Sequence, residues 1–408
     1  MTGRQRVLLC WEAGANRGHL LTLARAARAL AGQASIHARL CRMEHAAILA
    51  PHCTEIARGW PLKMDRPTPE SAAVAAQYKL TWAMWLRARG YADSDFLRAA
   101  FDWWRDTIWS VRPSLVVADY APTALMAARA LGIPGAAVGT AYGLPPWDMD
   151  RFPVIGRLEA ERDLDQDDFC ARINEALVPS GLTPLERLPQ VYQSTLAFPA
   201  GLSPCDPYAA WRRQPLLLPF DTLPELSDGT GDVLFAYLPP QQVRNRTILA
   251  TLQQLDLPTL LVSPLLDDAT HAQLCRNPHL EVRRTPLPQP EIVRRARMIL
   301  CAGQGGTTAL SVLAAIPYLA LPYDHEKENN ALGAARLPSC RIIAKAERSP
   351  ERILATLHEM WSDPTLHDAA RASAQVIRAG HESRDSETFR RSLSACLRPA
   401  VTAGLRGV

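Results

Sequence analysis

The segment Ile299-Leu-Cys-Ala-Gly303-Gln-Gly-Gly-Thr307-Thr-Ala-Leu310-Ser-Val-Leu-Ala-Ala-Ile-Pro317-Tyr-Leu-Ala-Leu-Pro322 carries the strongest structural signal in the chain. An apolar strand runs into Gly303, Gln304, Gly305 and Gly306, and Thr307 and Thr308 then open a helix of small and apolar residues. Pro317 follows the helix, and Tyr318 to Pro322 reads as the next strand. Strand, glycine turn, helix, strand is the repeating unit of a parallel α/β sheet. Glycines let the backbone turn tightly and approach a ligand. The free N–H groups at the helix start, aided by the helix dipole, then face an anion. A departing diphosphate is such an anion and needs no metal ion in this arrangement. The alternative is a strand-to-helix turn with no ligand. The motif is neither a Gly-Lys-Ser/Thr phosphate loop nor G-x-G-x-x-G.

The polar run Tyr323-Asp-His325-Glu326-Lys327-Glu-Asn-Asn330-Ala331 follows at once. By itself it reads as a solvated, charged helix start. Beside an anion-binding turn, its Asp, His and Glu offer the hydrogen-bonding groups a sugar requires. Joined at this spacing, the two segments resemble the donor signature of GT-B glycosyltransferases, the UDP-glycosyltransferase and MurG-like enzymes. That signature reads approximately H-G-G-x-G-T…E…G-x-P…P…(H-E-Q or D-Q)-x-x-N-A. The chain supplies Gly303, Gly306, Thr307, Pro317, Pro322, His325, Glu326, Asn330 and Ala331. Aligned on Pro317, the family histidine is Ala302, the second glycine Gln304, the ribose-gripping Glu Leu310, and the Gln after Glu326 is Lys327.

The first half carries its own resemblance. Trp11-Glu12-Ala-Gly14-Ala-Asn16-Arg17-Gly-His19-Leu20 is similar to the family's opening loop, where a Gly-His pair follows strand one. Val116-Val-Ala-Asp119 and Ala127-Ala-Arg-Ala-Leu-Gly-Ile-Pro134 resemble another segment of its first domain. The resemblance implies two Rossmann-like α/β domains whose parallel sheets face a central cleft. The implied boundaries are an acceptor domain over 1–195, a Pro-rich linker over 196–230 and a nucleotide-sugar domain over 231–380. A C-terminal helix and tail, 381–408, would pack back on the first domain. The diphosphate would rest on Gly303, Gln304, Gly305, Gly306, Thr307 and Thr308, and the sugar on His325, Glu326, Lys327 and Asn330. UDP or dTDP is the default carrier. The nucleotide sugar acts as a co-substrate, with no cofactor and no metal.

Sugar transfer to a hydroxyl needs a base for the acceptor proton and stabilisation of the leaving diphosphate. His19 is the candidate base, imidazole being the side chain that ordinarily titrates near neutral pH. Asp119, at the end of a strand, would orient it, and attack from the face opposite the diphosphate would invert the anomeric carbon. The competing readings are a loop His and an Asp that caps a helix. Glu12, Asn16 and Arg17 are placed on the acceptor side. Two other functions stay open: a nucleotide-sugar epimerase of the same architecture, and a nucleotide-sugar-binding pseudoenzyme in which Ala302 and Leu310 record a lost donor site.

The rest of the chain bounds these readings. It has 408 residues, 48% hydrophobic and 21% charged, which suits two globular domains. Short strands are expected at 6–10, 115–118, 135–139, 233–238, 259–262 and 298–301, and residues 71–109 read as largely helical and rich in Trp. No apolar run approaches the length of a membrane span, and no signal peptide is evident. A membrane-surface acceptor, small or lipid-linked, stays compatible with this. Nine cysteines without a C-x-x-C pair read as reduced thiols in a cytoplasmic protein. Only four of 45 basic residues are lysines, the mark of a G+C-rich, bacterial-type genome. The arginines are dispersed among acids, which argues against nucleic-acid binding. Asp148-Met-Asp150 and Asp163-Leu-Asp-Gln-Asp-Asp168 imitate a D-x-D metal motif. Neither ends a recognisable strand, so no metal site is assigned.

Overall fold

The structure is a computed structural model, and it describes residues 5–14, 17–63, 81–155, 164–381 and 386–397. The chain divides into two compact units. The first contains β1 (Gln5–Trp11), β2 (Ala34–Leu40), β3 (Glu55–Arg58), β4 (Leu115–Asp119), β5 (Gly135–Thr140) and β6 (Leu196–Ala200). They form one parallel sheet in the order β3-β2-β1-β4-β5-β6. The second contains β7 (Val233–Tyr237), β8 (Thr259–Val262), β9 (Leu280–Arg283), β10 (Ala296–Cys301), β11 (Tyr318–Ala320) and β12 (Cys340–Ile342). Its parallel order is β12-β11-β10-β7-β8-β9. Each sheet starts at a central strand, grows one way, then crosses back and grows the other way. The reversal lies between β1 and β4 in the first unit and between β7 and β10 in the second. Ligands of doubly wound sheets bind outside the carboxyl ends of the strands at such a point.

Burial explains which strands the sequence announces. Val7, Leu8, Leu9 and Cys10 are fully buried, as are Leu115, Val116 and Val117. Parallel strands covered by helices on both faces read as continuous apolar runs. β2 instead alternates buried Ala34, Ile36, Ala38 and Leu40 with half-buried Ser35, His37 and Arg39. β3, β9 and β12 are short and carry charge, so none of these stands out as an apolar run.

The first-unit helices include α1 (Arg17–Ala29), α2 (Ser94–Val111) and α3 (Pro122–Ala130). Helix α1 buries Leu20, Leu23, Ala24 and Ala27, a stripe at i, i+3, i+4 and i+7. The described part of the Trp-rich segment is largely helical, in separate pieces. Trp82–Leu86 and α2 are separate, and Asp93 caps α2 by accepting from the Phe96 N–H at 3.0 Å. Gly90 breaks the segment at φ +100°, where a Cβ would stand 2.5 Å from the Phe96 ring. Residues 71–80 of that segment lie outside the described residues. Trp82 and Trp104 are core, whereas Trp109 is exposed.

The stretch read as a linker, 196–230, is shared between the units rather than bridging them as a free connector. β6 is an edge strand of the first sheet, and 208–217 also belongs to the first unit, whereas 201–207 and the chain from Leu218 belong to the second. Prolines deprive this stretch of regular ladders but not of packing. Tyr208 is fully buried, Leu217 donates its N–H to Pro199 O, and the Arg212 guanidinium donates to the carbonyls of Ala141 and Leu144. The final described helix, Ser386–Cys396, is part of the first unit: Phe389 meets Phe198 edge-on at 4.8 Å and lies under Arg25. Among the described residues no helix is long and apolar enough to cross a membrane.

Candidate active site

At the reversal point of the first sheet, register sets Trp11, the last residue of β1, opposite Asp119, the last of β4. The chain turns after β1 at Gly14, with φ +105°, and α1 begins at Arg17. His19 therefore stands in the first turn of a helix rather than in the loop before it. Its Nδ1 lies 3.2 Å from Asp119 Oδ1. The carboxylate is 1% exposed and the imidazole 15%, so the pair is sheltered while the ring keeps an open edge. With Nδ1–H donated to the carboxylate, the ring's lone pair sits on Nε2. Trp11 stacks on the imidazole at 5.1 Å and Tyr120 meets it edge-on at 4.8 Å.

Gly14 makes room for that ring. A Cβ at position 14 would stand 2.3 Å from His19 Nε2, and the backbone there is left-handed. Gly14→Ala is expected to push the imidazole off Asp119 and reduce turnover by about 10²-fold, the effect of an ångström-scale misplacement. Steady-state kinetics with a melting curve check this. Full activity in a folded Gly14→Ala protein would show that Nε2 is not the working atom.

Glu12 has another occupation. Helix α3 starts with Ala121 before it and Pro122 at its first position, so no local side chain caps it. Glu12 reaches across and accepts the Thr123 N–H at 3.2 Å and the Ala124 N–H at 2.8 Å. Burial pushes its carboxyl up to about 8, against the pull of those two N–H groups. The sign of the linkage follows. The folded state keeps a proton that the unfolded state loses near 4.5, so stability is full below that value and declines as pH rises towards about 8. The melting temperature is expected to fall across this window. Glu12→Gln should start lower, having one acceptor too few, and lose the Glu12-linked part of the slope. Asn16 lies outside the described residues. Arg17 opens α1 half-buried.

In the second unit the reversal point pairs Tyr237 of β7 with Cys301 of β10. Helix α4 (Gly305–Leu313) follows β10, and no side chain caps it. The N–H groups of Gly305, Gly306 and Thr307 therefore have no acceptor within the helix. The Gln304 side chain is turned inward: Oε1 accepts from Ala302 N–H at 3.0 Å and Nε2 donates to Tyr237 O at 3.5 Å. Gly303 has φ +86°, and a Cβ there would stand 2.4 Å from Lys327 O. A Cβ on Gly306 would meet nothing within 4 Å. Thr308 does not face the turn's open side, because it is buried with its hydroxyl 3.0 Å from Tyr318 OH.

Helix α5 (His325–Ala334) begins beside this turn, capped by Asp324, which accepts the Lys327 N–H. Asn330 is buried and donates to Gly303 O at 3.1 Å, so it braces the glycine turn rather than reaching out of it. Lys327 Nζ lies 3.1 Å from Glu326 and 3.3 Å from Asp324. Burial works against its charge, but the two carboxylates outweigh it and hold the ammonium well above its usual range. That charge is matched locally and does not stand free for a phosphate. His325 and Glu326 are half-buried at the helix start. Ala302 and Leu310, where the resemblance expects a His and a Glu, are core residues, 0% and 4% exposed.

Solved structures share this architecture along nearly the whole chain. The glycosyltransferase VinC in complex with DTDP superposes with a TM-score of 0.66 at 17% identity, covering 97% of this chain and 100% of that one. CalG4, the calicheamicin glycosyltransferase, gives 0.66 at 14% identity over 98% and 100%. The spinosyn rhamnosyltransferase SpnG gives 0.64 at 16% identity over 96% and 100%. The chain has the GT-B fold. No protein-family model matches it. In sequence it is 29% identical over 90 residues to the UDP-N-acetylglucosamine--N-acetylmuramyl-(pentapeptide) pyrophosphoryl-undecaprenol N-acetylglucosamine transferase of Rhizobium johnstonii. That match covers 21% of this chain and spans 24% of the relative's length.

Within this GT-B chain one site residue escaped the sequence reading. Tyr120 follows Asp119 with φ +47°, uncommon for a bulky residue, and its ring touches His19, Trp82 and Trp85. Gly143 lies against that ring, where a Cβ would come within 2.0 Å. Nothing in the local sequence signals a left-handed tyrosine. Of the acidic D-x-D look-alikes, Asp165 caps the helix Gln166–Leu177 and Asp150 pairs with Arg187 at 2.9 Å, while Asp163 lies outside the described residues.

Proposed function

We propose that this chain is a glycosyltransferase that moves a sugar from a nucleoside diphosphate sugar to an acceptor hydroxyl. The observation that carries the reading is the His19–Asp119 pair, 3.2 Å apart at the reversal point of the first sheet. Nε2 takes the acceptor's proton as its oxygen bonds to the anomeric carbon. The carbon–oxygen bond to the diphosphate breaks, and its electron pair leaves with the diphosphate. Asp119 holds the ring and stabilises the imidazolium that forms. The uncapped N–H groups of Gly305, Gly306 and Thr307 receive the diphosphate in place of a metal ion. His325 and Glu326 face the sugar. Displacement from the opposite side inverts the anomeric centre.

UDP or dTDP is the preferred carrier, with a small or lipid-linked acceptor. VinC, solved with DTDP, SpnG, also solved with spinosyn aglycone, and the Rhizobium transferase's UDP-sugar donor support that choice. No cofactor takes part. The buried Ala302 and Leu310 favour a second reading, a protein that binds a nucleotide sugar without turning it over. The test incubates the protein with UDP- and dTDP-hexoses, with EDTA, and with or without a panel of hydroxylated acceptors. Acceptor-dependent release of the nucleoside diphosphate is the expected result. Tight binding with no release would establish the second reading, and an altered sugar nucleotide without acceptor would identify an epimerase.

A further inference from the structure

A cavity of about 360 Å³ opens at the carboxyl ends of β1, β2 and β3, next to the proposed base. Gly14 is part of its wall, and the same glycine lies against His19 Nε2. Ala13, Met43 and Pro61 give it apolar surface, and Arg42, Arg58 and Glu44 give it charge. Its size falls in the range of small-molecule sites, and its wall is more polar than apolar.

The charge balance is the informative part. Neither Arg42 nor Arg58 makes an ion pair among the described residues. Glu55, on the same strand as Arg58, points to the other face of the sheet, where it meets His37 Nδ1 at 2.9 Å and Arg39 Nη2 at 3.0 Å. Glu12, also in the wall, is bound to the start of α3, and burial keeps it protonated near neutral pH. Two guanidiniums then face one carboxylate, that of Glu44, so the cavity holds an excess of positive charge. Guanidinium forks are suited to carboxylate and phosphate oxygens.

We propose that this cavity selects an acceptor carrying a carboxylate or phosphate, which Arg42 and Arg58 hold while its hydroxyl lies at His19. The proposal rests on the reading of the first unit as the acceptor side. It makes charge, rather than shape alone, the discriminating property of the acceptor.

Calorimetry with matched probes tests it: 4-hydroxybenzoate against methyl 4-hydroxybenzoate, which share ring and hydroxyl and differ in charge at the other substituent, and phenyl phosphate for the phosphate case. The acid or phenyl phosphate should bind at least about tenfold more tightly than the ester, the scale of a charged hydrogen bond, and the preference should shrink with added salt. The tighter of the two anions identifies the group the site takes. In the Arg42→Met/Arg58→Met protein the preference should vanish, while UDP and dTDP bind as they do to the wild type. Equal binding of acid and ester by the wild type would overturn the proposal, as would failure of both anions to bind, or a preference that survives in the double variant. Failure of every nucleotide to bind would instead remove the transferase reading and leave the anion preference standing.

Discussion

His19→Ala is expected to lower the rate of sugar transfer by about 10²- to 10⁴-fold, the contribution of a positioned general base. Affinity for the nucleoside diphosphate should stay near the wild-type value, because the imidazole belongs to the first unit and the glycine turn to the second. Asp119→Asn is the companion test. An asparagine can donate to Nδ1 and so stabilise the tautomer with its proton on Nε2, which leaves the base without its lone pair. Its rate should fall by a similar order while affinity for the nucleoside diphosphate holds. A merely structural aspartate would lower the melting temperature without a selective loss of turnover. Equal loss of transfer and nucleotide affinity in His19→Ala would falsify the assignment of His19 as base.

The second large effect belongs to Gly306→Val. A Cβ at this position meets nothing within 4 Å, so the variant should fold and melt close to the wild type. It would occupy the space in front of the uncapped N–H groups of α4 and block two or three charge-assisted hydrogen bonds. Nucleotide affinity should therefore fall by about 10²-fold or more. Gly303→Ala gives the contrast. There the added carbon meets the Lys327 carbonyl at 2.4 Å in a left-handed backbone, so the protein itself should lose about 2 kcal/mol or more of stability. Gly306 thus tests a ligand and Gly303 a turn. Unchanged nucleotide affinity in Gly306→Val would place the anion site elsewhere.

The two glycines also show how much of this molecule its sequence discloses. Strand, turn and helix at 299–322 are legible because glycine and proline punctuate apolar runs, and the same holds for β1, β4 and β7. The doubly wound order is not written in any local pattern. β2 hides its register behind Arg39 and His37, and the linker hides β6 behind prolines. For the site, the residue types at His19 and Asp119 could be chosen from the sequence, but their pairing needed the register that sets Trp11 beside Asp119. Residues read as ligand contacts divide once their partners are known. Thr308 and Asn330 build the turn, Glu12 caps α3, and Lys327 is matched by its own neighbours; for the first three the partners lie at distances along the chain that spacing does not encode. Tyr120 carries no local signal, and the glycine that leaves room for its ring, Gly143, is remote in sequence.

Metal-free nucleotide binding is the point on which the transferase reading stands or falls, and a calorimetric titration of the whole chain with UDP, dTDP, GDP and ADP in the presence of EDTA measures it. Saturable one-to-one binding of UDP or dTDP is expected, with GDP and ADP weaker. Absence of binding by all four, or binding that appears only when a divalent cation is restored, would contradict it.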